Sequence, residues 1–290
     1  MFTTAERRAV GQLSGPGGRL AVLAADQRTK LVQALEGAGL PSDLASMQAF
    51  KLDLVTAMAP LAPAMLLDPE IALPHVVDAD ALPPRTGVLV SLERSGSRRT
   101  PEGLRAAELL PDVGAAGVRA LGGTGAKLLI RLRADREDAD GANGELLRRA
   151  VADCASQHLL LIVEVLIFRL DDESDERFAE LRPRLIREAA LLAESCGARY
   201  LKLEYPGSEG ACREITDALS CPWALLSAGV DHETFTGQLR TALSAGASGF
   251  IAGRSVWKEA MTLTGDERRR FLDGEARRRL EELLATAARY

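Results

Sequence analysis

Several features that mark secreted, membrane or metal-binding proteins are missing from this 290-residue sequence. Its four cysteines contain no C-x-x-C pair and lie in segments of helical character, so neither a disulfide framework nor a cysteine metal site is expected. No stretch of about 18 uncharged apolar residues occurs, and no apolar run precedes the first charges, so neither a transmembrane helix nor a secretory signal is predicted. We therefore expect a cytoplasmic protein with reduced thiols and no membrane partner.

Signatures of cofactor and nucleic-acid binding are equally scarce. The three histidines, His75, His158 and His232, are far apart, and none ends a strand beside an acid at ligand spacing, which argues against a metal site. The formal net charge is −5, from 36 basic and 41 acidic residues, so nucleic acid is not an expected partner. No cofactor is predicted, whereas binding of a small anion would need only one or two local cations.

Short apolar runs recur at intervals of roughly 25–40 residues, which is the spacing of repeated strand–helix units. Eight such runs are present, at residues 19–26, 63–68, 87–93, 125–131, 158–164, 199–204, 223–227 and 248–253. Nearly continuous apolar character with a polar residue at the C-terminal end is typical of parallel strands buried on both faces. The intervening segments show the three- and four-residue spacing of amphipathic helices, most clearly at residues 42–62 and in Asp175–Ser195.

Eight strands that alternate with helices form either a closed barrel or a doubly wound sheet. A doubly wound sheet predicts a glycine-rich phosphate loop after the first strand, but the first run here continues Ala-Ala-Asp-Gln-Arg-Thr-Lys. The sequence therefore predicts an α/β fold in which residues 1–290 form a single (β/α)8 TIM barrel with an extra C-terminal helix. The arginines of that helix, at 268–270 and 277–279, are interleaved with glutamates and are interpreted as a solvated face.

Lysines occur within two predicted strands, where a barrel interior normally holds branched apolar side chains. In the sixth run Leu201 and Leu203 would face the helices, so Lys202 would point to the barrel axis, as would Tyr200 and Glu204. Burial disfavours the charged form of an amine, which is the condition for a nucleophilic lysine. The alternative is that a lone lysine here makes a contact at the barrel rim or between subunits.

Acidic side chains and a second lysine are predicted to enter the same cavity. In the fourth run Lys127 alternates inward with Leu129 and Arg131, and a second ammonium would further disfavour the charged form of the first. Glu164 ends the fifth run, where it could shuttle protons or merely pair with Lys127. Asp26 ends the first run, where it could complete the site or cap the following helix. Their conjunction at one end of different strands favours a catalytic site.

The ends of the seventh and eighth runs predict an anion-binding site. They read Leu-Ser-Ala-Gly-Val and Ala-Gly-Arg-Ser-Val-Trp, and barrels frequently bind phosphate between the loops that follow these two strands. Gly229 and Gly253 would let the backbone approach the ligand. Ser227 and Arg254 would donate hydrogen bonds to it, with Ala228 beside them.

The sequence resembles the class I, Schiff-base aldolase family of tagatose-bisphosphate and sulfofructose-phosphate aldolases. The motifs that carry this resemblance read AADQR at 24–28, FK at 50–51, LLDPE at 66–70, LERSG at 92–96, GAKLLIRLRAD at 125–135, LKLEYP at 201–206, PWALLSAGVD at 222–231 and AGASGFIAGRSVW at 245–257. They run through most of the chain. Thr29, Lys30 and Val165 depart from the family pattern near the barrel mouth, which leaves the substrate more open than the chemistry.

The resemblance implies a lyase that needs no metal, because a protonated imine withdraws electrons as a Lewis acid would. It implies the catalytic residues Lys202 (the Schiff base), Lys127, Glu164 and Asp26, and the substrate ligands Gln27, Ser227 and Arg254. Arg28, Ala228, Gly229 and Gly253 complete the predicted substrate-binding site. The implied partner is a sugar phosphate. The expected reaction is the reversible cleavage of a ketose 1-phosphate, related to tagatose or fructose 1,6-bisphosphate or to sulfofructose 1-phosphate, into dihydroxyacetone phosphate and an aldehyde.

Two other functions stay open at this point: a phosphosugar isomerase that uses Glu164 as its base, and a non-catalytic sugar-phosphate sensor. A second anionic group on the substrate could meet Arg28, Lys30, Arg94 or Arg98, which the sequence does not rank. We also expect the protein to form a homo-oligomer.

Overall fold

The computed structural model describes residues 2–290 and contains a closed barrel of parallel strands. Along this part of the chain the strands are β1 (Leu20–Ala24), β2 (Ala64–Leu67), β3 (Gly87–Ser91), β4 (Arg98–Arg99), β5 (Arg105–Ala106), β6 (Gly125–Arg131), β7 (Leu160–Leu166), β8 (Leu201–Leu203), β9 (Trp223–Leu226) and β10 (Gly249–Ala252). All except β4 and β5 pair in the cyclic order β1-β10-β9-β8-β7-β6-β3-β2. Each of the eight apolar runs coincides with one barrel strand, and β7 extends two residues beyond its run, so the predicted (β/α)8 fold is confirmed.

Helices connect the strands and surround the barrel. They are α1 (Thr4–Gln12), α2 (Thr29–Gly37), α3 (Leu44–Met58), α4 (Leu73–Asp78), α5 (Ala115–Ala120), α6 (Ala142–Ser156), α7 (Asp175–Ser195), α8 (Glu209–Ala218), α9 (His232–Ser244), α10 (Arg254–Trp257), α11 (Gly265–Phe271) and α12 (Arg277–Ala287). None of the helices in residues 2–290 combines the length and apolar character needed to cross a membrane.

Local sequence signals set the helix ends. Helix α7 has the predicted bounds, and Gly197 follows it with a φ of +99°, a left-handed conformation that favours glycine. Asp231 caps α9, because its Oδ1 accepts a hydrogen bond from the backbone N–H of Thr234 at 2.9 Å.

The barrel interior below the predicted site is filled by apolar side chains from alternate positions of the strands. These include Leu20, Val22, Leu66, Leu89, Leu160, Ile162, Tyr200, Ala224 and Ile251. Tyr200 faces inward as predicted, and its hydroxyl lies 2.6 Å from the Oγ of Ser248. Glu204 departs from the prediction, because its carboxylate accepts from the N–H of Ile167 at 3.1 Å and pairs with Arg182 of α7 at 3.1 Å.

Two parts of the chain add to the simple barrel. Strands β4 and β5 form an antiparallel hairpin between β3 and β6, which the sequence patterns did not predict. The extra C-terminal helix is confirmed as α11 and α12, joined through a π-helical turn at Leu272–Ala276. Its arginines are largely paired with acids as expected, but Arg268 is buried, lies 5.1 Å from the ring centre of Phe50 and pairs with Asp53 at 3.1 Å.

Candidate active site

Lys127, Glu164 and Lys202 meet inside the carboxyl end of the barrel, on the adjacent strands β6, β7 and β8. The strand register places Leu129 beside Glu164, and Glu164 beside Lys202. Because side chains alternate along a strand, Lys127 and Leu129 both face the axis. The Nζ of Lys202 donates to the Oε2 of Glu164 at 2.8 Å, and the Nζ of Lys127 lies 3.3 Å from the same oxygen. One carboxylate oxygen therefore bridges both ammonium groups.

Two further carboxylates surround the Lys127 ammonium. The Oδ2 of Asp26 lies 2.7 Å from Nζ, and the Oε1 of Glu93 lies 2.5 Å from it. Asp26 does not cap the helix that follows it, because α2 begins after Arg28 without a side-chain cap. Of the two alternatives for Asp26, the structure therefore shows the one in which its carboxylate joins the lysine cluster.

The electrostatics of the cluster follow from burial opposed by ion pairing. Burial by itself would raise the pKa of Asp26, but the charges of Lys127 and Lys202 lower that pKa to about 2. Burial likewise would raise the pKa of Glu164, and the same two lysines lower it. Burial would lower the pKa of Lys127, but its three carboxylate neighbours raise it well above the usual value for lysine. Lys127 is therefore a fixed cation at neutral pH, and both acids are ionised.

Glu93 is a site residue that the sequence patterns did not single out. It follows β3 and is only 6% exposed. Besides Lys127, its carboxylate meets the backbone N–H of Leu129, which donates to Oε2 at 3.0 Å. The available signal was its position at the end of the third apolar run, the same signal that drew attention to Asp26 and Glu164.

A second buried lysine–carboxylate pair supports the segment that carries Asp26. Lys51 of α3 is 1% exposed, donates to the backbone carbonyl of Ala25 and lies 3.1 Å from the Oδ2 of Asp68. The other oxygen of Asp68 accepts from the N–H of Ile71 at 2.6 Å. Since Ala25 directly precedes Asp26, this pair positions the end of β1 from outside the barrel.

The five residues predicted to bind an anion come together after β9 and β10. The N–H of Gly253 points to the Oγ of Ser227 at 3.4 Å, and the Nη2 of Arg254 lies 3.5 Å from the carbonyl oxygen of Ala228. Gly229 has a φ of +85°, and a Cβ there would lie 3.1 Å from the Arg254 guanidinium carbon. A Cβ on Gly253 would lie 2.5 Å from the carbonyl oxygen of Ala24. Glycine is therefore favoured at position 229 by the left-handed backbone and needed at position 253 by the close approach of β1.

The other predicted substrate ligands differ in their surroundings. Gln27 lies beside the lysine cluster, where its side-chain N–H donates to Asp26 at 3.3 Å and its Oε1 is buried with no partner among residues 2–290. Arg28 is buried, pairs with Glu70 and donates to the carbonyl oxygen of Glu93 at 2.6 Å. These bonds occupy the Arg28 guanidinium within the protein, and its role as a ligand stays a prediction.

Two of the cations proposed for a second anionic group, Lys30 and Arg98, have partners outside the cavity. Lys30 donates to Gln33 at 3.0 Å, and Arg98 lies 3.6 Å from Glu108. Arg94 is exposed. Within residues 2–290, no three His, Cys, Asp or Glu side chains are arranged to hold a metal ion.

Comparison with known proteins places this arrangement in a family. The family profile described as DeoC/LacD family aldolase matches residues 20–259. This range includes every barrel strand and the five clustered residues Asp26, Glu93, Lys127, Glu164 and Lys202. The chain belongs to the DeoC/LacD aldolase family. As a member of that family it is a lyase, and the resemblance drawn from its sequence motifs is confirmed.

Named relatives of this aldolase include bacterial sugar-bisphosphate enzymes. Tagatose 1,6-diphosphate aldolase 2 of Enterococcus faecalis is 27% identical over 288 residues, covering 90% of this chain and 85% of its own. Tagatose 1,6-diphosphate aldolase of Staphylococcus haemolyticus is 27% identical over 279 residues, covering 87% and 85%.

Solved structures show the same fold. A Schiff-base-forming fructose-1,6-bisphosphate aldolase superposes with a TM-score of 0.62 at 17% identity, covering 96% of this aldolase and 98% of its own chain. Fructose-bisphosphate aldolase from Slackia heliotrinireducens superposes with a TM-score of 0.64 at 17% identity, covering 98% and 91%.

Proposed function

We propose that this protein is a class I aldolase that forms a Schiff base between Lys202 and the keto carbon of a ketose 1-phosphate. The observation that carries the proposal is the bridging of Lys202 and Lys127 by one oxygen of Glu164, with all three side chains buried near the carboxyl end of the barrel. Lys127 contacts three carboxylates, and its pKa is raised, so it keeps its proton. Lys202 contacts Glu164, which can take its proton and leave a neutral amine.

The reaction begins when the neutral amine of Lys202 attacks C2 of the ketose. Lys127 stabilises the oxyanion of the carbinolamine that forms, and Glu164 returns a proton as water leaves to give the iminium. The C3–C4 bond then breaks, its electrons move to the iminium to form an enamine, and Asp26 or Glu164 takes the C4 hydroxyl proton. The aldehyde departs, C3 is protonated, and hydrolysis releases dihydroxyacetone phosphate and the free lysine.

The substrate phosphate on C1 binds in this scheme to the loops after β9 and β10. Ser227, Gly253 and Arg254 surround that place, and the amide N–H groups of the loops are natural phosphate donors. The named relatives act on tagatose 1,6-diphosphate, which supports a ketose that bears a second anionic group. A phosphate or a sulfonate on C6 fits the proposed chemistry equally well, since neither takes part in the bond that breaks.

The test is to incubate the protein with dihydroxyacetone phosphate and borohydride and to measure the intact mass. We expect a stable adduct on the wild type, peptide mapping that locates it at Lys202, and no adduct on Lys202→Ala. Absence of an adduct on a wild type that still binds the ligand would overturn the proposal in favour of an isomerase or a sensor.

A further inference from the structure

Arg131 lies at the carboxyl end of the barrel, four residues beyond Lys127 on the same strand. It is the last residue of β6 and shares the axis-facing side with Lys127 and Leu129. Its side chain is half-buried, and its Nη1 donates to the carbonyl oxygen of Gly96 at 3.2 Å. One N–H group of a five-donor guanidinium is used by this bond, so several others are available to a ligand.

A buried asparagine ties the backbone of a second arginine, Arg105, to the end of β6. The Nδ2 of Asn143 donates to the carbonyl oxygen of Arg131 at 2.8 Å and to that of Arg105 at 2.9 Å. Its Oδ1 accepts from the N–H of Ala107 at 3.0 Å, and the side chain is 1% exposed. The side chain of Arg105 lies over the ring of Phe168, with 5.4 Å between the guanidinium carbon and the ring centre. Asn143 therefore anchors the β4–β5 hairpin to the end of β6.

These two arginines lack the acidic partners that neighbouring arginines have. Arg99, on the same hairpin, pairs with Asp171, and Arg133, two residues beyond β6, lies 2.8 Å from Glu173. Within residues 2–290, no carboxylate forms an ion pair with Arg131 or Arg105. Burial, and next the charge of Arg105, lower the pKa of Arg131. The carboxylates of Glu164 and Glu93, which form no ion pair with Arg131, oppose this effect only in part. A bound anion would relieve the remaining repulsion between the two guanidinium groups.

The pair also lies where the far end of the substrate would arrive. In the cyclic strand order β6 is four strands from β10 in either direction, so Arg131 stands across the barrel mouth from Arg254. Lys202, on β8, lies between these two sides. A ketose with its C1 phosphate near Arg254 and its C2 at Lys202 would extend its C6 end toward β6.

We propose that Arg131 and Arg105 bind the second anionic group, a phosphate or sulfonate on C6, of a ketose 1-phosphate substrate. This inference rests on the proposed aldolase function. It identifies the residues that bind the C6 end of the substrate, which the cluster around Lys202 does not contact. Guanidinium groups suit the role, because their N–H donors match the oxygens of both phosphate and sulfonate.

The test compares substrates that have one or two anionic groups. For Arg131→Met and Arg105→Met, kcat/KM is measured with tagatose 1,6-bisphosphate, with 6-deoxy-6-sulfofructose 1-phosphate and with fructose 1-phosphate. We expect the ratio of kcat/KM for the doubly to the singly anionic substrate to fall roughly tenfold to a hundredfold, as for loss of a charge-assisted hydrogen bond. The wild-type preference between the first two substrates identifies phosphate or sulfonate as the natural group.

Arg99→Met is the matched control, because Arg99 is on the same hairpin and pairs with Asp171. Its substrate ratio should equal that of the wild type. If the ratio of kcat/KM for the doubly to the singly anionic substrate were unchanged in both Arg131→Met and Arg105→Met, the inference would be overturned. Dihydroxyacetone phosphate has one anionic group, so borohydride trapping on the wild type tests the aldolase proposal separately from this one.

Discussion

The carboxylate of Glu93 joins Lys127 to the backbone of the strand that carries it. One oxygen lies 2.5 Å from the Lys127 ammonium, and the other accepts from the N–H of Leu129 at 3.0 Å. With both oxygens occupied, Glu93 holds the ammonium in place and is poorly suited to move protons. Glu164, whose single bridging oxygen contacts both lysines, is the carboxylate suited to proton transfer.

Glu164→Gln should remove proton transfer while keeping the shape of the site. We expect kcat to fall roughly 10²- to 10⁴-fold, the usual contribution of a general acid–base group. The measurement is the steady-state rate of bisphosphate cleavage together with the rate of borohydride trapping, which should slow as well. Glu204→Gln is the matched control, since Glu204 directly follows the neighbouring strand β8 but pairs with Arg182. Equal losses in the two variants would contradict the role of Glu164.

Asp26→Asn should change how stability depends on pH. The folded pKa of about 2 lies below the ordinary value of 3.8, so ionised Asp26 adds stability that is present above pH 3.8 and lost as pH falls through 2. Its contribution at pH 7 is about 2 kcal/mol, and about half of this remains at pH 3. The free energy of unfolding is measured with urea at pH 7, 5, 4 and 3. The difference between wild type and variant should become smaller as the pH falls.

The exposed residue Asp273, in the C-terminal π turn, provides the control for that experiment. The free energy of unfolding of Asp273→Asn should depend on pH in the same way as that of the wild type. If the difference in free energy of unfolding between Asp26→Asn and the wild type stayed constant down to pH 3, the lowered pKa of Asp26 would be contradicted.

Lys51→Met should destabilise the fold strongly. Asp68 is fully buried, and the substitution would leave its carboxylate without its cation, at a cost of about 3–5 kcal/mol in the free energy of unfolding. Equilibrium urea unfolding measures this loss. The exposed Lys30→Met should stay within about 0.5 kcal/mol of the wild type. If Lys51→Met were equally mild, the pair would not support the end of β1 as described.

Gly253→Ala should weaken binding of the C1 phosphate. The added methyl would lie 2.5 Å from the carbonyl oxygen of Ala24, so the loop after β10 must move away from β1. We expect KM for the ketose phosphate to rise roughly tenfold or more, since a displacement of this kind disturbs several hydrogen bonds at once. Gly237→Ala in α9 meets no atom within 4 Å and should leave KM unchanged. A normal KM in Gly253→Ala would argue against phosphate binding at this loop.

The sequence by itself determined the barrel and the side of each strand that faces its axis. Parallel strands buried on both faces are continuous apolar runs, and the two-residue alternation along a strand is a local property of the chain. These two signals are sufficient to place Lys202, Lys127 and Glu164 in one cavity, and the motif resemblance was sufficient for the family.

Only the tertiary structure decided which charges meet. Glu93 joins Lys127, Arg28 pairs with Glu70, and Glu204 turns to Arg182, because such contacts depend on which strand ends and helices become neighbours when the barrel closes. Asn143 likewise brings Arg105 to Arg131 across 26 residues of chain through hydrogen bonds that no sequence period encodes. Local patterns therefore predicted that Lys202, Lys127 and Glu164 meet, whereas long-range packing added Glu93 to this site and turned Glu204 away from it.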